Sequence, residues 1–462
     1  MAIDSALVGW RDPPDGRGTF DIIKTCIFTM FLLCWSSVCP NVPSVSRGRW
    51  ALNKAKLQLF LVAILSPDFV FATALGQFNL AYRSKKAFAK AGYRDWSLRH
   101  YFFVNMGGLH LRFADHELAG KPTFPVNCQQ LLYLIQNKHI DLPKIDVEDI
   151  EDRNKADILA RGVTLVQSTW FTINSIGRLA QGLHLTTLEL TTLTFVYVMV
   201  ACSIFWWRKP MDITRPIVIP VAIELRATLQ NANAPLPLTG RTPLSYLDDK
   251  LWFMGRLWIY FRQILWNLRC FGRQQDKPAE SDHFIAMDFH EIDAAWEVVA
   301  APITFGYAGI FVGAWSFEFP SPLERYMWRA SSIFTLCYCV LGPLSLAVEQ
   351  HFSRDQIASY WRKLILNMSP RTKLQWRQHP WAKSLTSIHY RIDQRLDHLR
   401  NISPDKDPNL EVSVLYSLGV LGVSVLYCFT RAFILVEDGI GLRALPESAY
   451  KNVDYGPYSP IL

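Results

Sequence analysis

The residues best suited to chemistry are Asp68 and Glu189, with Ser66, Pro67, Arg178, His184 and Glu318 around them. Asp68 falls near the middle of an apolar stretch, in Ser66-Pro67-Asp68. A carboxylate at bilayer depth costs about 3 kcal/mol or more unless it is protonated, paired or turned towards other helices. Pro67 frees a backbone carbonyl one turn earlier, which can help to line a polar pocket. Proton exchange or cation binding is the expected chemistry, set against a packing role in which a neighbouring Ser, Thr or Arg holds the acid. Glu189 stands just inside another apolar stretch, close enough to its end to reach water, and is the second acid/base candidate. Arg178 and His184 precede it as candidate partners. Glu318 lies in a turn with Glu324 and Arg325, expected on the same side, so that these residues line one vestibule in this reading.

The elements that must position them are apolar runs. Half of the 462 residues are hydrophobic, only 19% are charged, and 16 are tryptophan. Runs long enough to cross a hydrocarbon core of about 30 Å occur at Ile22–Cys39, Leu57–Leu75, Val163–Leu179, Leu188–Trp207, Trp296–Phe317, Trp328–Val348 and Val412–Val436. The expected fold is all-α, a polytopic transmembrane bundle of seven helices. Its divisions are residues 1–79 with the first two spans, 80–162 as a polar loop, 163–207 with two spans, 208–295 as a basic loop, 296–348 with two more, 349–411 as a second basic loop, and 412–462 with the last span. Trp50, Trp206, Trp207, Trp296, Trp315 and Trp328 fall at span edges, where an indole with an apolar ring and a donor N–H prefers to sit. The distribution of Lys and Arg favours a cytoplasmic start and an outer end of the chain.

The mean hydropathy of +0.09 is low for a membrane protein, so much of the chain lies in water or at the interface. Tyr246–Arg273 and Arg354–Met368 place apolar residues at helical spacing beside Arg and Lys, which suits helices lying on the membrane surface; packing into a small cytosolic core is the alternative. The net charge of +8 is spread over the loops, which points to anionic headgroups rather than nucleic acid. His100 sits in an aromatic-rich segment that ends at Gly107-Gly108 and reads as an interfacial helix. The acids Asp146, Glu148, Asp149, Glu151 and Asp152 suit the start of the third span. Asp282, His283, Asp288, His290 and Glu291 have metal-binding residue types without a helical ligand spacing, and no metal or cofactor is expected. Only Cys128 and Cys270 of the nine cysteines stand in polar segments, which suggests no disulfide framework. Phosphate-loop, dinucleotide and serine-hydrolase motifs are absent.

Several strings resemble a large, mostly uncharacterised group of fungal multi-pass membrane proteins: Gly16-Arg17-Gly18-Thr19-Phe20, Asp152-Arg153-Asn154-Lys155-Ala156-Asp157, Leu188-Glu189-Leu190-Thr191-Thr192-Leu193, Trp206-Trp207-Arg208-Lys209-Pro210, and Arg443-Ala444-Leu445-Pro446 with Ala449-Tyr450. The resemblance implies a shared membrane architecture and permits a place in specialised metabolism. It transfers no catalytic residue.

Two readings stay open, beside a third in which the protein is a purely structural scaffold whose basic interfacial helices hold partners to the membrane. One is a membrane-embedded enzyme or accessory factor in fungal secondary metabolite biosynthesis, acting on an apolar small molecule with Asp68 and Glu189 as acid and base. The other is a channel, transporter or receptor whose pathway the same acids line. Which membrane holds it, and in what oligomeric state, the sequence leaves open.

Overall fold

The computed structural model describes residues 7–12, 16–43, 48–113, 123–151, 155–222, 242–248, 251–267, 284, 288–351, 399, 402, 410–412 and 414–455. Arg354–Met368, Asp282, His283 and Cys270 lie outside them.

The fold is mostly helical. Its centre is α8, Thr187–Phe205, which starts with a capping box between Thr186 and Glu189. Around it pack α1 (Thr19–Ser37), α3 (Pro67–Lys90), α7 (Lys155–Ala180), α10 (Ala294–Gly313) and α12 (Val414–Ile440); α11 (Pro322–His351) packs on α10 and α12. Helices α1 and α8 run parallel. Arg17, just before α1, reaches Glu189 at the start of α8, and Ser37 Oγ meets Ser203 Oγ at 3.0 Å near the far ends. The end of α12 returns to the start of α8, where Gly441 faces Thr187.

The surface is inverted relative to a water-soluble bundle. Helix α7 exposes Val163, Val166, Trp170, Ile173 and Ile176 and buries Thr164, Ser168, Ser175 and Arg178. Helix α12 exposes Leu418, Val425, Leu426 and Phe429 while burying Ser417, Arg431, Glu437 and Asp438. Apolar outer stripes over polar inner ones are what a hydrocarbon solvent selects. Among the described residues, four helices are long and apolar enough to cross a membrane: Thr19–Ser37, Thr187–Phe205, Ala294–Ser316 and Ser417–Arg443.

The expected second span, Leu57–Leu75, is corrected. It divides at Ser66 (φ −144°, ψ 75°) into α2, Gly48–Leu65, and α3, with Pro67 opening the second helix. Proline cannot donate to the preceding turn, but at a helix start nothing is lost. Helix α2 runs antiparallel to α1, with Phe60 against Phe31 and Trp35. Helix α3 turns back, laying Phe71 and Phe78 on Phe205 at the far end of α8. The two helices form a hairpin that enters the bundle and leaves at the end it came from.

The loop segments hold more fold than expected. Strands β2 (Leu109–Phe113), β3 (Phe124–Pro125) and β4 (Ile217–Val221) form a sheet in the order β3-β2-β4, with β2 and β4 parallel. Helix α4 (Leu98–Asn105) is no interfacial helix: His100 through Val104 are buried, and His100 holds Ser97 N and Ile145 O through its two ring nitrogens. Gly107 (φ 85°) then supplies the left-handed turn. Helix α5 (Cys128–Gln136) follows β3, and the acidic run lies mainly in a separate short helix, α6 (Val147–Glu151), ahead of α7. Helix α9, Phe253–Asn267, buries Leu257, Ile259 and Tyr260 and sets Trp258 on Phe289, which also meets Phe69 of α3. Its apolar side is therefore covered largely by protein, not laid on a membrane. Among the tryptophans, Trp206 and Trp328 are buried instead of marking an interface, their indoles donating to Gln77 Oε1 and Phe311 O.

The chain ends lie together. Strand β1, Leu7–Val8, pairs with β5, Leu445–Pro446. Gly16 (φ 145°) passes so close to Tyr450 O that a Cβ there would stand 2.6 Å from it, and Arg17 N donates to the same carbonyl at 3.1 Å.

Candidate functional site: a charged hairpin apex inside the bundle

Asp68 occupies the first turn of α3, where exposed backbone N–H groups favour a negative charge. Its Oδ1 accepts a 2.5 Å hydrogen bond from Tyr427 of α12, and the Tyr427 hydroxyl lies 3.1 Å from that of Tyr307 on α10. Tyr427 lies about 20 Å along α12 from Ile440, at about 1.5 Å per residue. The apex is thus well inside the bundle. Tyr338 of α11 packs on Tyr427 with ring centroids 4.6 Å apart.

One turn further along α12, Arg431 is fully buried. Its Nε donates to Leu65 O at 3.1 Å, a carbonyl that the break at Ser66 leaves open. The guanidinium rests over Phe311 (4.8 Å) and Tyr307 (5.6 Å), while Nη1 and Nη2 have no hydrogen-bond partner among the described residues. The cation stands near Asp68 without closing an ion pair with it. A cation with spare donors, a carboxylate and two phenols in contact therefore share one site. That set can hold a small charged group or pass a proton along Asp68–Tyr427–Tyr307.

Glu189 belongs to another cluster. Arg17 grips both its oxygens in a fork, Nη1 on Oε1 and Nη2 on Oε2 at 3.0 Å, while Thr186 donates its N–H and hydroxyl to Oε2, both at 2.9 Å. Arg178 donates to four carbonyls, those of His184, Ser448, Ala449 and Lys451. His184 Nδ1 meets Ser448 Oγ at 2.6 Å. These residues staple the chain's two end segments to the start of α8. His184 and Glu318 line one cleft beside it, with Thr187, Phe319 and Gly441, while Glu189 and Arg178 are not part of its lining. Asp68 does not join this group; Ser66 and Pro67 stand with it at the hairpin.

Sequence reasoning missed Arg431, Tyr427 and Tyr307. The signal for Arg431 was present: it interrupts the apolar run Val412–Val436 as Asp68 interrupts its own. A further buried cation, Lys209, stands just beyond the end of α8. Lys209 Nζ donates to Cys39 O (2.6 Å), Gln77 Oε1 (2.8 Å) and Asn41 Oδ1 (3.0 Å). Burial pulls its pKa down to about 8. Cys128 is buried against Tyr101 O, and burial pushes its thiol up, which makes it an inert cysteine. Glu291 meets Arg83 at the surface, 3.2 Å away.

Fold and site define a mostly helical, membrane-type protein with a charged hairpin buried among apolar helices. By sequence, residues 1–233 match the model of a family of unknown function, DUF8562, and the chain belongs to that family. The matched part holds the hairpin, Glu189 and Lys209 but ends before α10, α11 and α12. No curated protein and no solved structure matches the chain.

Proposed function

We propose that this is a multi-pass membrane protein in which α1, α7, α8, α10, α11 and α12 cross the bilayer, α2 and α3 enter as a re-entrant hairpin, and the hairpin apex moves protons together with a small charged solute. An even number of crossings replaces the expected seven, and the pairing of β1 with β5 supports it, since seven crossings send the two ends to opposite faces. The observation that carries the functional reading is the apex itself. A helix break at bilayer depth is tolerated where protein or a polar path surrounds it, and broken helices recur where transporters bind ions and solutes. Here the break delivers Asp68 and the Leu65 carbonyl to Tyr427 and Arg431. The exposed apolar stripes supply the lipid-facing surface, with anionic headgroups as partners for the basic loops.

The test is proton movement into liposomes containing the full chain, with a pH-sensitive dye inside and a potassium diffusion potential imposed. Wild-type protein is expected to acidify the lumen, and Asp68→Asn to abolish the signal. Equal fluxes in the two proteins would sink the reading.

The enzyme reading rests on the phenol–carboxylate pair Tyr427–Asp68, which in a water-poor site has the parts for acid/base chemistry on an apolar molecule. The resemblance to fungal membrane proteins would fit such an activity in specialised metabolism. Metabolite extracts from the host with wild-type protein and with Asp68→Asn test it: one product lost and its precursor accumulated is the expected result, and identical profiles remove this reading.

A further inference from the structure

At the last turn of α12, Glu437 and Asp438 are almost fully buried, 2% and 1% exposed. This is the carbonyl end of the helix, where the macrodipole disfavours negative charge. Neither Asp438 oxygen has a hydrogen-bond partner among the described residues, and neither has Glu437 Oε1. The cations nearby are engaged elsewhere: Arg443 with Glu324, Arg17 with Glu189, and Arg431 with the hairpin about 10 Å along the helix axis. Two hydroxyls of α8, those of Thr187 and Thr191, face Asp438. Thr191 is fully buried, and its Oγ1 also lacks a partner. Two buried carboxyls side by side, faced only by these neutral hydroxyls among the described residues, gather more negative charge than the hydroxyls can offset, which calls for a cation.

The space for one is at Gly441. A Cβ built there would stand 3.5 Å from Glu437 Oε1 and 3.6 Å from Thr187 Oγ1, so both oxygens look onto the bare α-carbon. Gly441 and Thr187 also line the cleft with His184 and Glu318, which gives a route from the surface. We propose that Glu437, Asp438, Thr187 and Thr191 form a binding site for a monovalent cation, Na⁺ or H⁺, entered through this cleft. All the candidate ligands are oxygens, as a hard cation prefers. The charged and titratable groups that bear on it are Glu437 and Arg431 of α12, Glu324 of α11, Arg443, Glu189 of α8 with Arg17, and Cys26 of α1. The site goes beyond the hairpin reading and stands without it, because its occupancy is read by binding alone.

The experiment uses the purified full chain in detergent, with radiolabelled Na⁺ and with thermal unfolding in sodium, potassium and choline chloride at equal ionic strength. Saturable Na⁺ binding and a higher Tm in sodium than in choline are expected, both lost in Asp438→Asn and both retained in Asp68→Asn. Gly441→Ala guards against a folding artefact, since its methyl meets the two oxygens only at ordinary contact distance; it is expected to weaken Na⁺ by about tenfold or more, as loss of supporting structure does at other ion sites. If no alkali cation binds, the infrared C=O stretch of a protonated carboxyl, absent in Asp438→Asn, assigns the site to H⁺. Absence of both Na⁺ binding and that band overturns the proposal, as does Na⁺ binding unchanged in Gly441→Ala and Thr191→Val. Na⁺ binding that persists in a chain with no proton flux would remove the hairpin reading alone.

Discussion

Asp68 and Glu189 are the same kind of group in the same kind of place, carboxylates in the first turn of a helix buried in the bundle, yet they are held in opposite ways. Glu189 has a guanidinium fork, a backbone N–H and a hydroxyl on its two oxygens. Asp68 has one phenol from across the bundle and a guanidinium that approaches without pairing. Position and residue type do not separate a staple from a reactive group; the number and fixity of the partners do. A carboxylate gripped by charge-assisted donors is fixed in place, whereas one held by neutral donors beside an unsatisfied cation can still change partners.

Substitutions that break this contrast are ordered by size of effect. Glu189→Gln leaves the largely covered Arg17 without its counter-charge and is expected to cost about 4 kcal/mol, as removal of one partner of a buried pair does; thermal unfolding in detergent checks it, with Arg17→Ala as the second arm of a double-mutant cycle. Lys209 comes next, as a buried charge satisfied by neutral acceptors alone. Its pKa falls from 10.5 to about 8, so between those values the unfolded chain holds the extra proton and stability rises with pH. The rise amounts to about 3 kcal/mol at most, and Lys209→Met should abolish it in Tm measurements across that range. Arg178→Lys keeps the charge but cannot reach four carbonyls as a planar fork does; a loss of about 2 kcal/mol is expected, together with faster proteolytic cleavage near Ser448. Smallest is Asp68→Asn, expected to change stability by about 1 kcal/mol or less because only one neutral hydrogen bond is altered, while abolishing the proton flux. A cost for Asp68→Asn as large as that of Glu189→Gln would erase the contrast and make both acids staples.

The helices were largely legible because a hydrocarbon solvent writes itself into composition: Leu188–Trp207 anticipates α8 within two residues at each end. The hairpin was not, since Leu57–Leu75 has the length and apolarity of a span and only Ser66-Pro67-Asp68 marks where it folds back. Asp68 stands out in the sequence as an acid inside an apolar run, but its partners do not, because Tyr307 and Tyr427 are ordinary span residues until tertiary packing joins them. The role of Glu189 depends on Arg17, 172 positions away, and no periodicity encodes so distant a meeting. Arg178 and His184 were read as its partners; instead they hold the segment at Ser448–Lys451, a tie invisible until both ends of the chain are in place.

That tie sets an order of assembly. Gly16, Arg17 and Glu189 wait on residues 448–451, and the bond from Arg17 to Ala449 O spans 432 positions. Until α12 has inserted, Arg17 lacks the carbonyl acceptors at Ala449 and Tyr450, Arg178 has only that of His184, and the groove beside α8 stands open. Closure of the seam is therefore a late event in biogenesis. Chains cut before Leu445 should remain recognisable to quality-control machinery by that open groove, even with every helix from α1 to α12 already made.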